Sequence, residues 1–208
     1  MVKTTMKKSG INLGVLITLC LAACSGGKAQ SGGDSSQMRS FGNNSNSNIL
    51  LGAGNSSAYA LFSTLFSGYA KETHVMVNYQ SIGSDGGVLQ LANKAVDFAE
   101  TGAPLSSGQA NKINSQVLQI TLFGQTTSNI SRGALKSGLT EAIIYKEQNY
   151  DGRSLMRAQK LLKMLWWCVH DGQSHCSGPD CAKLSPAAVT IAENILKSAT
   201  FDGKPILQ

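Results

Sequence analysis

The stretch ILLGAGNSSAYALFSTLFSGYAKETHVMVNYQSIGSDGGVLQL, residues 49–91, spells strand, Gly/Ser loop and helix twice in succession. Ile49, Leu50 and Leu51 form a short buried strand, and the loop from Gly52 to Ser57 follows. Behind it Tyr59, Phe62, Leu65, Phe66 and Tyr69 recur at helical spacing, and Ser56 or Ser57 is placed to cap that helix by accepting a first-turn N–H. Val75, Val77 and Tyr79 then alternate as a strand does, the loop Ser81 to Gly87 intervenes, and Val88, Leu91, Ala92 and Ala95 mark a second helix. Short strands alternating with helices predict an α/β sheet rather than an all-α or all-β fold.

Working outward toward the C-terminus, Val96 to Ala99, Val117 to Phe123 and Ala142 to Tyr145 are further strands. Ser154 to Val169 reads as a long helix with Leu155, Ala158, Leu161, Leu162, Leu165, Trp166 and Val169 on its core face. A last helix opens with Ser185 as cap and Pro186 at its first position, where a missing N–H costs nothing, and ends near Ser198. No repeat of solenoid length occurs.

Toward the N-terminus, residues 1–23 read as a targeting segment: a basic start with Lys3, Lys7 and Lys8, an apolar run from Ile11 to Ala23, and small residues before a cysteine. Leu21-Ala22-Ala23-Cys24 looks like a lipobox, which makes Cys24 the expected lipidation site and places the rest of the chain outside the cytoplasm, in the periplasm or at the cell surface, held to a membrane by its lipid. Residues 24–48, rich in Gly, Ser and Asn, cannot bury a core and are expected to form a flexible tether. Without residues 1–23 the net charge of +6 falls to +3, from 15 basic and 12 acidic residues. That small balance, with no basic stripe interleaved with aromatics, excludes nucleic acid as a partner.

Each Gly/Ser loop leads into a helix N-terminus, where unpaired N–H groups, the positive end of the helix dipole and serine hydroxyls suit an oxyanion. Such turns also serve simply as caps. Asn55, Ser56, Ser57 and Ser84 are the residues so placed. Neither loop has Walker A lysine spacing, the Gly52-Ala53-Gly54 turn lacks the third glycine of a dinucleotide fingerprint, and no hydrolase or kinase signature is present, so neither an enzyme nor a cofactor is expected. Cys168, His170, His175, Cys176 and Cys181 lie close together, but their spacing fits no standard zinc finger. In an oxidising compartment a disulfide between Cys176 and Cys181 is the expectation, with Cys168 left over and no metal. His74 reads as a lone surface histidine.

VNYQSIGSDGGVLQL, residues 77–91, and KAVDFAETGAPLS, residues 94–106, resemble the phosphate-binding proteins of bacterial phosphate ABC transporters. Residues 141–173 and 182–207 resemble the C-terminal end of the same family. The resemblance implies a type II periplasmic-binding-protein fold, in which one lobe is built from both chain ends, a second lobe from the middle, and phosphate is gripped between them. Here the family's approach to the hinge, residues 117–125, is followed almost at once by its final segments, which implies that residues 49–208 form a single lobe, a central mixed sheet flanked by helices, with the second lobe deleted near 125–138. The far-side clasp goes with it, since Arg132 at the junction lacks the family's surrounding motif.

Residue by residue, Ser84 stands at the family's phosphate-binding serine, and Asn55, Ser56 and Ser57 stand where the family has alanine, threonine or serine, then phenylalanine. Gly102 occupies the position of the aspartate that accepts the phosphate proton, and Glu100 and Asp97 are displaced from it, Asp97 closing a strand. The resemblance thus implies a lipid-anchored carrier of inorganic phosphate that feeds the permease of an ABC importer, with a weakened site. The alternative is a remnant lobe that transports nothing and serves as a structural or interaction lipoprotein.

Overall fold

A computed structural model describes residues 48–124, 139–176 and 181–207. The signal segment, Cys24, most of the tether and residues 125–138 with Arg132 lie outside the described residues. The elements are β1 (Ile49–Gly54), a 3-10 turn (Ser56–Ala58), α1 (Tyr59–Thr73), β2 (Met76–Ser81), α2 (Ser84–Ala92), β3 (Phe98–Thr101), α3 (Ser107–Ile113), β4 (Val117–Gly124), β5 (Leu139–Tyr145), α4 (Leu155–Val169), a second 3-10 turn (Asp171–His175), α5 (Pro186–Lys197), β6 (Thr200–Phe201) and β7 (Lys204–Pro205). Among the described residues no helix is long and apolar enough to cross a membrane.

The main sheet has five strands in the order β2-β1-β3-β5-β4. β1 runs parallel to β2 and β3, and β5 runs antiparallel to β3 and β4, so the sheet is mixed. Successive residues of a strand point to opposite faces, and here both faces are covered. Leu50, Phe98 and Ile144 face Phe62, Leu65 and Phe66 of α1 together with Leu161, Leu165 and Leu196 of α4 and α5. Leu51, Ala99 and Ile143 face Val88 and Leu91 of α2 and Ile113 of α3. Each such large side chain removed from water contributes about 1.5–3 kcal/mol, and truncating Phe98, which has no exposed surface, would cost about 3–5 kcal/mol. The α/β class and the central mixed sheet flanked by helices are those expected.

Local chemistry sets the helix ends. Ser154 accepts the N–H of Arg157 at 3.2 Å to start α4, and Ser185 accepts that of Ala188 at 3.2 Å with Pro186 following it. α2 docks so tightly on β1 that a Cβ at Gly87 would stand 2.4 Å from the carbonyl oxygen of Ala53, so only glycine fits there.

Several sequence expectations are corrected. β3 spans Phe98–Thr101 rather than 96–99, because the N–H of Leu51 goes to the Asp97 carboxylate at 2.7 Å and the β1–β3 ladder starts only at Gly52 opposite Phe98. Asp97 therefore precedes this strand and does not close it. Tyr59 and Leu155 lead their helices and are 52% and 45% exposed, whereas Met164, Trp167 and Cys168 are buried because α4 packs over a wider face than its strict stripe. The short helix α3 and the β6–β7 hairpin were not anticipated. α3 is held by a capping box between Ser106 and Gln109, and the hairpin hangs on the Glu147 carboxylate, which accepts from the N–H groups of Asp202 and Gly203 and from the Thr200 hydroxyl.

Candidate functional site

The parallel strands β1 and β2 deliver their loops to one edge of the sheet, outside the C-terminal ends of the strands, where open α/β sheets bind ligands. The N–H of Ile82 bonds the carbonyl of Gly54 at 3.1 Å, tying the loop before α2 to the end of β1. Asn55–Ser57 and Ser84 are thereby brought to the same edge. Gly83, with φ of 80°, turns the chain into α2, and Ser84, half-buried, is its first residue. The adjacent Asp85 accepts a hydrogen bond from Gln109 at 2.9 Å, which links α2 to α3.

Neither Ser56 nor Ser57 caps α1, whose N-cap is Ala58 with no side-chain bond; Asn55 instead caps the 3-10 turn before it, its Oδ1 accepting the N–H of Ser57 at 3.2 Å. Asparagine suits this position because its short side chain folds back on the backbone two residues ahead. Ser56 and Ser57 are exposed, and among the described residues their hydroxyls have no protein partner.

The residue that sequence reasoning underrated is Glu100, in the middle of β3 and wholly buried. Its Oε2 accepts the N–H of Asn55 at 2.8 Å and the hydroxyl of Tyr79 at 2.8 Å, while Oε1 is buried without a partner among the described residues. Burial lifts its pKa to about 7; the hydrogen bonds from Tyr79 and Asn55 pull it down, and nearby Glu141 pushes it up. Burial, then the neighbouring carboxylate, drives the Tyr79 phenol far up, so Tyr79 stays a donor. A glutamate inside an otherwise apolar strand, Phe98-Ala99-Glu100, was the signal available in the sequence.

Gly102 borders the same loop, since a Cβ there would stand 2.8 Å from Nδ2 of Asn55. The Asn55 amide thus fills space that a larger side chain at 102 would need. Asp97, by contrast, sits at the opposite end of β3 in a buried ion-pair cluster. Its carboxylate accepts from Arg157 Nε at 2.8 Å and Nη2 at 2.7 Å, and from Arg153.

The cysteine and histidine group divides. Cys176 and Cys181 form a disulfide with their Cα atoms 5.5 Å apart, and Cys168 is a buried free thiol whose pKa burial raises. His170 bridges the Trp166 carbonyl and Glu193, each at 2.8 Å, and the ring of His175 packs against Trp167. Among the described residues no group of His, Cys, Asp and Glu is placed to hold a metal ion. His74 is exposed and ends α1 in the left-handed conformation, φ 58°.

Residues 39–122 match the family model described as the PBP superfamily domain. The chain is 47% identical over 60 residues to the phosphate-binding protein PstS of Haemophilus influenzae, a match spanning 29% of this chain and 18% of that protein. It is 40% identical over 63 residues to the phosphate-binding protein PstS of Xylella fastidiosa strain Temecula1, spanning 30% and 17%. The matched part is thus under a fifth of the length of these relatives. The structure also resembles that of a possible phosphate binding protein from Planctomyces limnophilus, with a TM-score of 0.57 at 6% identity, over 74% of this chain and 99% of the other. At that identity the likeness is one of fold. Residues 39–122 thus resemble the PBP superfamily domain, and the curated relatives similar to part of the chain are bacterial phosphate-binding proteins.

Proposed function

We propose that this chain is an extracytoplasmic substrate-binding protein for inorganic phosphate, anchored through Cys24 and a tether of residues 24–48, and that it presents its ligand to the permease of an ABC importer. The folded part, residues 49–208, is on this reading one lobe, the second having been lost near 125–138. The observation that carries the proposal is the convergence of the loops at Asn55–Ser57 and Ser84 on one sheet edge, each at the start of a helix. Helix N-termini with neutral hydroxyls hold an oxyanion without fixing a countercharge on it.

Binding by this site is weak. Glu100 already occupies the N–H of Asn55, and the Asn55 side chain occupies that of Ser57, so two of the loop's donors are engaged internally. An oxyanion gripped from one side also keeps much of its hydration. Calorimetric titration of the full chain with phosphate, and with sulfate as control, tests this. Saturable phosphate binding of micromolar or weaker affinity that sulfate does not reproduce supports the reading, and submicromolar affinity would overturn the degenerate site.

A second reading is favoured by Glu100 itself. A carboxylate that satisfies the loop from inside does what the oxyanion would do, and a lobe sealed in this way serves as a structural or interaction lipoprotein without a ligand. Absence of any phosphate heat from the folded chain selects this alternative.

A further inference from the structure

The Asp97 cluster lines a small cavity beside the N-terminus of α4, far along β3 from the loops discussed above. Arg153 and Arg157 have side chains only 6% and 2% exposed, and Asp97 is 2% exposed. Two guanidinium groups thus share one carboxylate. At the rim, Lys94 and Asp151, both exposed, offset each other in formal charge, so one positive charge in the buried group has no counterion among the described residues. A buried lysine or histidine could shed its proton to escape that cost, but a guanidinium does not. The face of the Tyr150 ring lies 5.5 Å from Arg153 and eases part of the charge, yet it carries none of its own.

Three hydrogen-bond donors of the same cavity have no protein partner among the described residues: Arg157 Nη1, Arg153 Nε and the Tyr150 hydroxyl. Burial keeps that hydroxyl protonated, with a pKa of about 12, so it donates. The cavity offers about 20 Å³ to the centre of a water-sized sphere, room for one small spherical occupant and none for a tetrahedral oxyanion. The first turn of α4 adds the positive end of a 15-residue helix.

We propose that this cavity is a binding site for one monatomic anion, chloride, held by Arg153, Arg157 and Tyr150 opposite the Asp97 carboxylate. The ion completes the charge balance of the cluster that joins β1, β3 and α4, and chloride therefore stabilises the fold specifically. The site is separate from the phosphate reading and stands or falls without it.

Thermal unfolding of the purified full-length chain tests this, with sodium chloride exchanged for sodium gluconate at constant ionic strength. The expected result is a melting temperature that rises with chloride and saturates, that bromide reproduces, and that phosphate does not. Tyr150→Phe removes a donor that already lacks a protein partner, so it should leave the melting temperature in gluconate nearly unchanged while raising the half-saturating chloride roughly five-fold, the effect of one lost hydrogen bond. Crystals grown in bromide should show an anomalous peak against Arg157 Nη1. Equal melting temperatures in chloride and gluconate, or a water in place of bromide, would overturn the site.

Discussion

Glu100 Oε2 lies 2.8 Å from the amide nitrogen of Asn55 and accepts its N–H, so a strand residue reaches up to hold the first donor of the loop above it. Because the folded protein lifts this carboxyl from 4.5 to about 7, the native state binds the proton more tightly than the unfolded chain does. The associated stability is therefore complete below about pH 4.5 and fades as pH rises through 7, a loss on the order of 3 kcal/mol. Urea unfolding at pH 5 and pH 8 should reveal it, and Glu100→Gln, which cannot ionise, should flatten the difference. Equal pH slopes for the two proteins would contradict this account.

The same charge governs the proposed ligand. Above pH 7 the ionised Glu100 repels an oxyanion at the neighbouring loop, so Glu100→Gln should tighten phosphate binding roughly three- to ten-fold at pH 8 and little at pH 5. Comparing variant with parent at each pH cancels the titration of phosphate itself. An unchanged ratio at both pH values would place the oxyanion away from Glu100.

Restoring an aspartate at position 102 should require a second change. With Asn55 in place, a Cβ at Gly102 meets its Nδ2 at 2.8 Å, so Gly102→Asp alone should lower stability by about 1–3 kcal/mol. Adding Asn55→Ala opens the space, so the double variant should lose little more than Asn55→Ala alone, which forfeits the cap on the Ser57 N–H. Additive rather than compensating effects in this double-mutant cycle would show that the two positions do not compete.

What could be read in the sequence followed from local spacing. β1 through α2, and α4 and α5, declare themselves through periodicity and caps such as Ser185-Pro186, because those signals lie within a few residues of one another. Asp97 and Glu100 could not be assigned in that way. Their partners are Arg153 and Arg157, 56 and 60 residues away, and Asn55, 45 residues away, and nothing in a single sequence states which carboxylate meets which donor. The loop residues Asn55, Ser56, Ser57 and Ser84 were recognisable as a set, but the capping was assigned to the serines, since a hydroxyl and a carboxamide both suit a turn and only the folded geometry chooses.

Asp97→Asn should damage the fold about as much as truncating a core side chain such as Phe98. It removes the carboxylate that both buried guanidinium groups share, leaving one chloride at most against two positive charges, and removing one partner of such a cluster costs about 3–5 kcal/mol. Chemical denaturation measures this directly, and a loss under about 1 kcal/mol would mean that water reaches the arginines freely.

Reduction should weaken the segment between the second 3-10 turn and α5, where Cys176 is joined to Cys181. Closing the short loop between Cys176 and Cys181 is worth about 2 kcal/mol on chain-entropy grounds. Cys176→Ser with Cys181→Ser should lower the melting temperature accordingly, while a chelator leaves it alone; sensitivity to the chelator instead would point to a bound metal.

Gly124 of β4 and Leu139 of β5 face each other as the last paired residues of two neighbouring antiparallel strands, with residues 125–138 joining them. The sheet on one side of that pair is indifferent to how much chain lies on the other. Closing a tenfold longer connection would cost only about 2 kcal/mol, since the entropy of closure grows with the logarithm of its length. A guest domain could be spliced into this seam or cut out of it with little disturbance to the host, which makes the junction a natural port for building, shedding or exchanging modules.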